Sequence, residues 1–135
     1  MKIIGFSFNK INVEKFKDKF DGLKIDTNID IPEIKEIKSG PLKLKEDLLG
    51  IDFSFVVDYQ PDIAKITLNG KIIVAVDSKV VKEVLKQWKN KKMPEDFRLR
   101  LFNIILRKSS IKAIQLEDEM NLPPHIPMPS LKKQE

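Results

Sequence analysis

The sequence predicts an α+β domain, a four-stranded antiparallel sheet followed by two helices, with an extended proline-rich C-terminal tail. Three observations carry that reading. As far as Val76, apolar and polar residues alternate with a period of two, the signature of half-buried strands. Beyond Asp77 the apolar residues recur at helical spacing. After Asn121, four prolines fall within residues 123–129, and their fixed φ enforces polyproline geometry. At 135 residues the chain has the size of one domain, assigned to residues 1–121, with 122–135 as the tail.

The first strand rests on Ile4, Phe6 and Phe8, which alternate with Gly5, Ser7 and Asn9. Residues 12–22 are mostly polar, with Phe16 and Phe20 four apart, and read as a loop or a short helical turn ending at Asp21-Gly22. The second strand is the cleanest. Leu23, Ile25, Thr27, Ile29 and Ile31 face one way; Lys24, Asp26, Asn28 and Asp30 face the other. Pro32 stops or kinks it, because proline has no N–H for the ladder. A charged connector carrying Ile34 and Ile37 then runs through Gly40-Pro41 to Asp47.

The third strand covers residues 48–59. Leu49, Ile51, Phe53, Phe55, Val57 and Tyr59 share a face opposite Asp52, Ser54 and Asp58. Gln60-Pro61-Asp62 is a turn with proline pre-set at its second position. The fourth strand covers 63–76, with Ile66, Leu68, Ile72, Val74 and Val76 in one parity. Asn69-Gly70 within it has two readings: a hairpin that splits the stretch, or a kink inside one long strand.

Asp77-Ser78 supplies an N-cap for a helix bearing Val80, Val81, Val84, Leu85 and Trp88. Residues 90–94 break it. Pro94 suits the first position of the second helix, and Glu95 and Asp96 favour its positive end. That helix carries Phe97, Leu99, Leu101, Phe102, Ile104, Ile105 and Leu106, then Ile111, Ala113, Ile114, Leu116 and Met120, with a weak point at Ser109-Ser110. Its apolar residues exceed one stripe, so a sheet covers one side and a partner subunit or an apolar ligand is expected on the other.

Composition narrows the function. There is no cysteine, which excludes disulfides, thiolate metal sites and a cysteine nucleophile. One histidine, His125 in the tail, excludes a two-histidine metal site and, by the same reading, a histidine-paired triad. The acids, including Glu117-Asp118-Glu119, read as solvated, and His125 reads as neither ligand nor contact. The tail itself reads as a strap over its own domain, because Leu122, Ile126 and Met128 interleave with its prolines. No apolar run reaches the length of a membrane span. The expectation is a soluble, cytoplasmic protein that is not an enzyme and carries no cofactor.

The charge is local. Residues 79–92 hold six lysines (79, 82, 86, 89, 91 and 92) against one acid, Glu83, so this segment carries the whole formal excess of +5. Such a stripe suits nucleic-acid phosphates, with Lys86, Lys89, Lys91 and Lys92 as the contacts, or is simply a solvated helix face. A module that recognises one folded partner is a third possibility.

The order of elements resembles the SecB export-chaperone family. The resemblance rests on the alternating strand at 23–31 and on the pair 48–59 and 63–76 joined by Gln60-Pro61-Asp62. Asn69-Gly70 falls where the family has glycines inside its last strand, which favours one kinked strand. The run 122–129 is similar to the family's proline-containing segment after its long helix. The resemblance implies a homo-oligomer, a dimer or a tetramer, that holds unfolded polypeptides in apolar grooves and by strand-like pairing, in protein export or folding. It implies Trp88, Met93, Phe97, Met120 and Leu122 as groove lining, and Ile66 and Leu68 near subunit contacts. The family docks an export ATPase through acidic surfaces. This chain is basic, so polypeptide holding is the part that carries over.

Overall fold

The computed structural model describes residues 1–37 and 47–134. Four strands, β1 (Lys2–Lys15), β2 (Lys24–Ile37), β3 (Asp47–Gln60) and β4 (Ala64–Val76), precede two helices, α1 (Ser78–Trp88) and α2 (Glu95–Glu119). The strands form one sheet in the order β1-β4-β3-β2, and every pair is antiparallel. The expected fold class is therefore observed. The Gly40-Pro41 part of the expected connector lies outside the described residues.

The inner pair obeys the period-two pattern throughout. Leu49, Ile51, Phe53, Phe55, Val57 and Tyr59 of β3 are buried, as are Ile66, Leu68, Ile72, Val74 and Val76 of β4. Asp52 and Lys71 lie on the opposite face, 3.8 Å apart. Asn69-Gly70 makes no hairpin: β4 runs through it, with Asn69 opposite Ser54 and Gly70 opposite Phe53. A Cβ on Gly70 would collide with the Ser7 carbonyl oxygen and the Phe53 ring, so only glycine lets β1 and β4 approach this closely. The turn after β3 contains a cis Gln60-Pro61 peptide and Asp62 in the left-handed region.

The outer strands depart from expectation. β1 does not end near Asn9; it continues from Lys10 to Lys15 along Asn69–Ala64 of β4. Register shifts between Ile3 and Gly5 and between Phe8 and Lys10 reset its parity twice. Each extra residue turns the following side chains over, so simple alternation hides the strand. β2 likewise survives Pro32. The register slips between Asp30 and Glu33, and pairing resumes from Glu33 to Ile37. Proline sits at a bulge on an edge strand, where its missing N–H costs no ladder bond.

Both helices cover one face of the sheet, and the core falls into two parts. The first joins β2, the start of β3, the end of β4, α1 and the first half of α2. The second joins the end of β3, the start of β4, Ala113 and Leu122. Phe8 and Ile29 pack against both. Asp77 is the N-cap of α1 but makes no side-chain cap bond; its carbonyl accepts from Val81 N–H at 3.0 Å instead. Pro94 is the N-cap of α2 instead of its first residue, so the helix begins one place later than expected, and it passes through Ser109-Ser110 unbroken.

α2 buries Phe97, Leu101, Ile105, Ser109, Ala113 and Glu117, each four residues after the last. At 3.6 residues per turn that line drifts about 40° per step, or about 200° from end to end. The buried face therefore winds around the helix as it crosses the twisted sheet. This is why its apolar residues spread all round in the sequence.

Candidate functional site

At the first end of α2 the buried line leaves the opposite side uncovered. Leu99 (50% exposed) and Leu106 (44%) project to solvent there, as does Ile111 (56%) further along. Beside them, between the β2 edge and the α1–α2 connection, lies a groove of about 420 Å³. Ile29, Ile31 and Pro32 form one wall; Trp88, Met93 and Phe102 supply the other apolar surface. Each aromatic ring carries a cation. The Lys91 ammonium sits 4.5 Å from the Trp88 ring centroid and the Arg98 guanidinium 5.0 Å from that of Phe102. Such contacts are favourable through the ring quadrupole. Lys91 is placed by a left-handed backbone (φ 58) after the last turn of α1, its N–H bonded to Trp88 O at 2.8 Å. Asp30 is the carboxylate of the lining.

The structure distributes the expected groove residues over three places. Trp88 and Met93 meet in the groove just described. Phe97 is buried in the first core and faces a second cavity, of about 330 Å³, with Val80, Asp96 and Arg100. Met120 and Leu122 lie at the far end of α2; Leu122 is buried in the second core and so presents nothing to a ligand. Ile66 and Leu68, expected near subunit contacts, are wholly buried in the second core of their own protomer, with Ala113 of α2 and Leu122. Lys86, Lys89, Lys91 and Lys92 are all exposed on α1 and its exit. Sequence reading missed the contribution of Ile29 and Pro32, because they come from a strand distant in sequence from Trp88 and Met93 and carry no motif. It also missed Arg98, whose signal is the i, i+4 spacing to Phe102.

The far end of α2 holds a polar cluster. Glu117 and His125 are each 1% exposed, and the His125 Nδ1 lies 2.8 Å from Glu117 Oε2. Glu117 Oε1 also accepts from the His125 backbone N–H at 3.0 Å. The carboxylate can only accept, so Nδ1 carries the hydrogen. Nε2 lies 3.3 Å from Ser110 Oγ, and the Tyr59 phenol donates to the Pro123 carbonyl at 2.6 Å. Burial, with the neighbouring Glu117 carboxylate, raises the Tyr59 phenol far above its ordinary range. Two expectations are corrected here. Glu117 is not a solvated acid and His125 is not an idle tail residue. A histidine-paired relay is also not excluded by a single histidine: serine, imidazole and carboxylate stand in that order. The imidazole and carboxylate are buried, and their bonds fasten the chain after Asn121 to the end of α2. Leu122 and His125 thus pack against the rest of the chain, as a strap over its own domain would.

Among the described residues there is no group of three or more acids, histidines or cysteines placed to hold a metal ion. No described helix is long and apolar enough to cross a membrane.

Comparison with known proteins places the fold. No protein-family model matches the chain, and no curated protein matches its sequence significantly. Among solved structures the chain is similar to the Rv1957 SecB-like chaperone of Mycobacterium tuberculosis, solved in complex with a ChAD peptide from the Rv1956 HigA1 antitoxin. The likeness covers 99% of this chain and 92% of that one, with a TM-score of 0.50 and 12% identity. The fold is SecB-like.

Proposed function

We propose that this protein holds unfolded polypeptide segments, as a chaperone or peptide-binding module of the cytoplasm. The observation that carries the proposal is the groove beside β2. It is concave, it sets the apolar side chains of Ile29, Ile31, Trp88, Met93 and Phe102 among three charged ones, and it lies along the edge strand. An extended segment lying there would place side chains against Trp88, Met93 and Phe102 while its backbone runs beside the sheet edge. Methionine suits a wall that must accept many sequences. The structural neighbour, a chaperone seen with a peptide, supports the same reading. We further propose a homo-oligomer, a dimer or tetramer. Its contact would cover Leu99, Leu106 and Ile111, the large apolar side chains that α2 leaves in solvent.

The test is dilution of a chemically unfolded protein into buffer with and without this chain, at low and at high salt. Holding through apolar contacts predicts suppressed aggregation at both salts, near one oligomer per client. Trp88→Ala with Met93→Ala should weaken it. Absence of suppression at either salt would sink the proposal. Binding that survives only at low salt and extends to RNA would instead assign the surface to nucleic acid, through Lys86, Lys89, Lys91 and Lys92.

A further inference from the structure

The polypeptide-holding groove has a feature that apolar lining alone does not explain: the faces of both its aromatic rings are occupied by cations. Lys91 lies over Trp88 and Arg98 over Phe102, while the lining contains one carboxylate, Asp30. Beyond Lys91 the basic surface continues through the exposed Lys86, Lys89 and Lys92. A segment that stacks an apolar side chain on the covered face of either ring must displace the cation there. The displaced charge then needs a new partner, or its lost ring contact counts against binding. A carboxylate on the incoming segment, flanking the inserted side chain, is such a partner. A lysine or arginine there would meet like charge.

Resting on the holding function proposed above, we propose that the groove selects acidic segments: apolar anchors flanked by Asp or Glu. The cations act as hinged covers that leave the rings when a carboxylate arrives. They exclude basic segments of equal hydrophobicity, so the selection contains a repulsive element as well as an attractive one.

The test uses the full chain and three labelled peptides sharing one Leu-Phe-Ile core, flanked by aspartate, by serine or by lysine. Binding is read from peptide anisotropy, with the emission of Trp88, the chain's single tryptophan, as a second signal. Two or three exposed ion pairs made rather than opposed correspond to about a tenfold preference for the aspartate peptide over the lysine peptide at low salt. High salt should shrink that gap by screening. The variant Lys91→Gly with Arg98→Gln should close the gap, bringing the affinities of the aspartate and lysine peptides together. Lys91 occupies a left-handed position that glycine adopts without strain, so this change removes the cation with no backbone strain.

Equal binding of the aspartate and lysine peptides, or preference for lysine, overturns the inference while the serine peptide shows that the groove still holds polypeptide. If none of the three binds, the holding function falls and the selectivity with it. Displacement of every peptide by single-stranded RNA that binds more tightly than any of them overturns it in favour of a phosphate-binding surface.

Discussion

The two ends of α2 do opposite things with the same helix. At the first end Phe97, Leu101 and Ile105 pack inward, while Leu99 and Leu106 stand in solvent beside the groove. At the second end the inward line is Ser109, Ala113 and Glu117, and the chain returns after Asn121 to cover it with Leu122 and His125. The first end has spare apolar surface and no polar anchor. The second has polar anchors and covers itself. The difference teaches where binding is affordable. A groove must remain open, so its stability has to come from elsewhere, and the clasped end is where buried hydrogen bonds hold the fold in a single arrangement.

The largest effect expected is from Glu117→Ala. It leaves the imidazole and the backbone N–H of His125 without their acceptor, deep in the protein. Removing one partner of a buried pair costs about 3–5 kcal/mol. Urea unfolding should show that loss, and proteolysis should cut near His125 sooner than in the parent. A loss below about 1 kcal/mol would mean that the clasp is not what closes this end.

Next comes the phenol. Tyr59→Phe removes a bond to the Pro123 carbonyl and should cost about 1–2 kcal/mol in the same measurement. Tyr59 also sets an alkaline limit. Its folded pKa is raised, so its contribution is complete below the ordinary phenol value of about 10 and is lost as pH rises beyond it. It is the chain's one tyrosine, so phenolate absorbance reports a single group. Absorbance should appear together with unfolding. Ionisation near the ordinary value with the fold intact would refute the buried placement.

The adjacent serines sharpen the comparison further. Ser110 meets His125, whereas the buried Ser109 hydroxyl finds no partner among the described residues. Ser109→Ala should therefore raise stability, by about 1 kcal/mol, and Ser110→Ala should lower it. A loss from both would show that Ser109 has a partner too.

The smallest effect on the protomer belongs to the open end. Leu99→Ser with Leu106→Ser changes exposed side chains and should move unfolding by less than about 0.5 kcal/mol at each site. Its effect should be on assembly, lowering the mass seen by sedimentation. An unchanged mass would remove this face from the oligomer contact.

How much of this the sequence showed depends on how local each signal is. β3 and β4 were legible residue by residue, because they lie inside the sheet and no bulge disturbs their pairing. β1 was legible only to Asn9, since bulges reset its parity, and β2 only to Ile31, since proline usually ends a strand and here only bends it. α2 was legible as a helix but not as a winding buried line, which depends on the twist of the sheet beneath. In the groove, Trp88 and Met93 come from one short stretch and could be paired by eye. Their neighbours Ile29 and Pro32 arrive from another strand and carry no motif. The Glu117–His125 contact was invisible for a different reason. An acid in a run of acids and a histidine among prolines each have a solvated default, and only the turn at Asn121 brings them together.

The bulges have one more consequence. The sheet's two outer strands carry all its register shifts, and β3 and β4 between them carry none. A passing strand that tries to extend the sheet along β2 keeps step only as far as Pro32, where the pitch changes and a donor is missing. Along β1 it loses step at two bulges. The protein's margins therefore tolerate short guests and frustrate long ones. Copies of this chain, or misfolded strands from others, find no continuous template on which to grow a fibre.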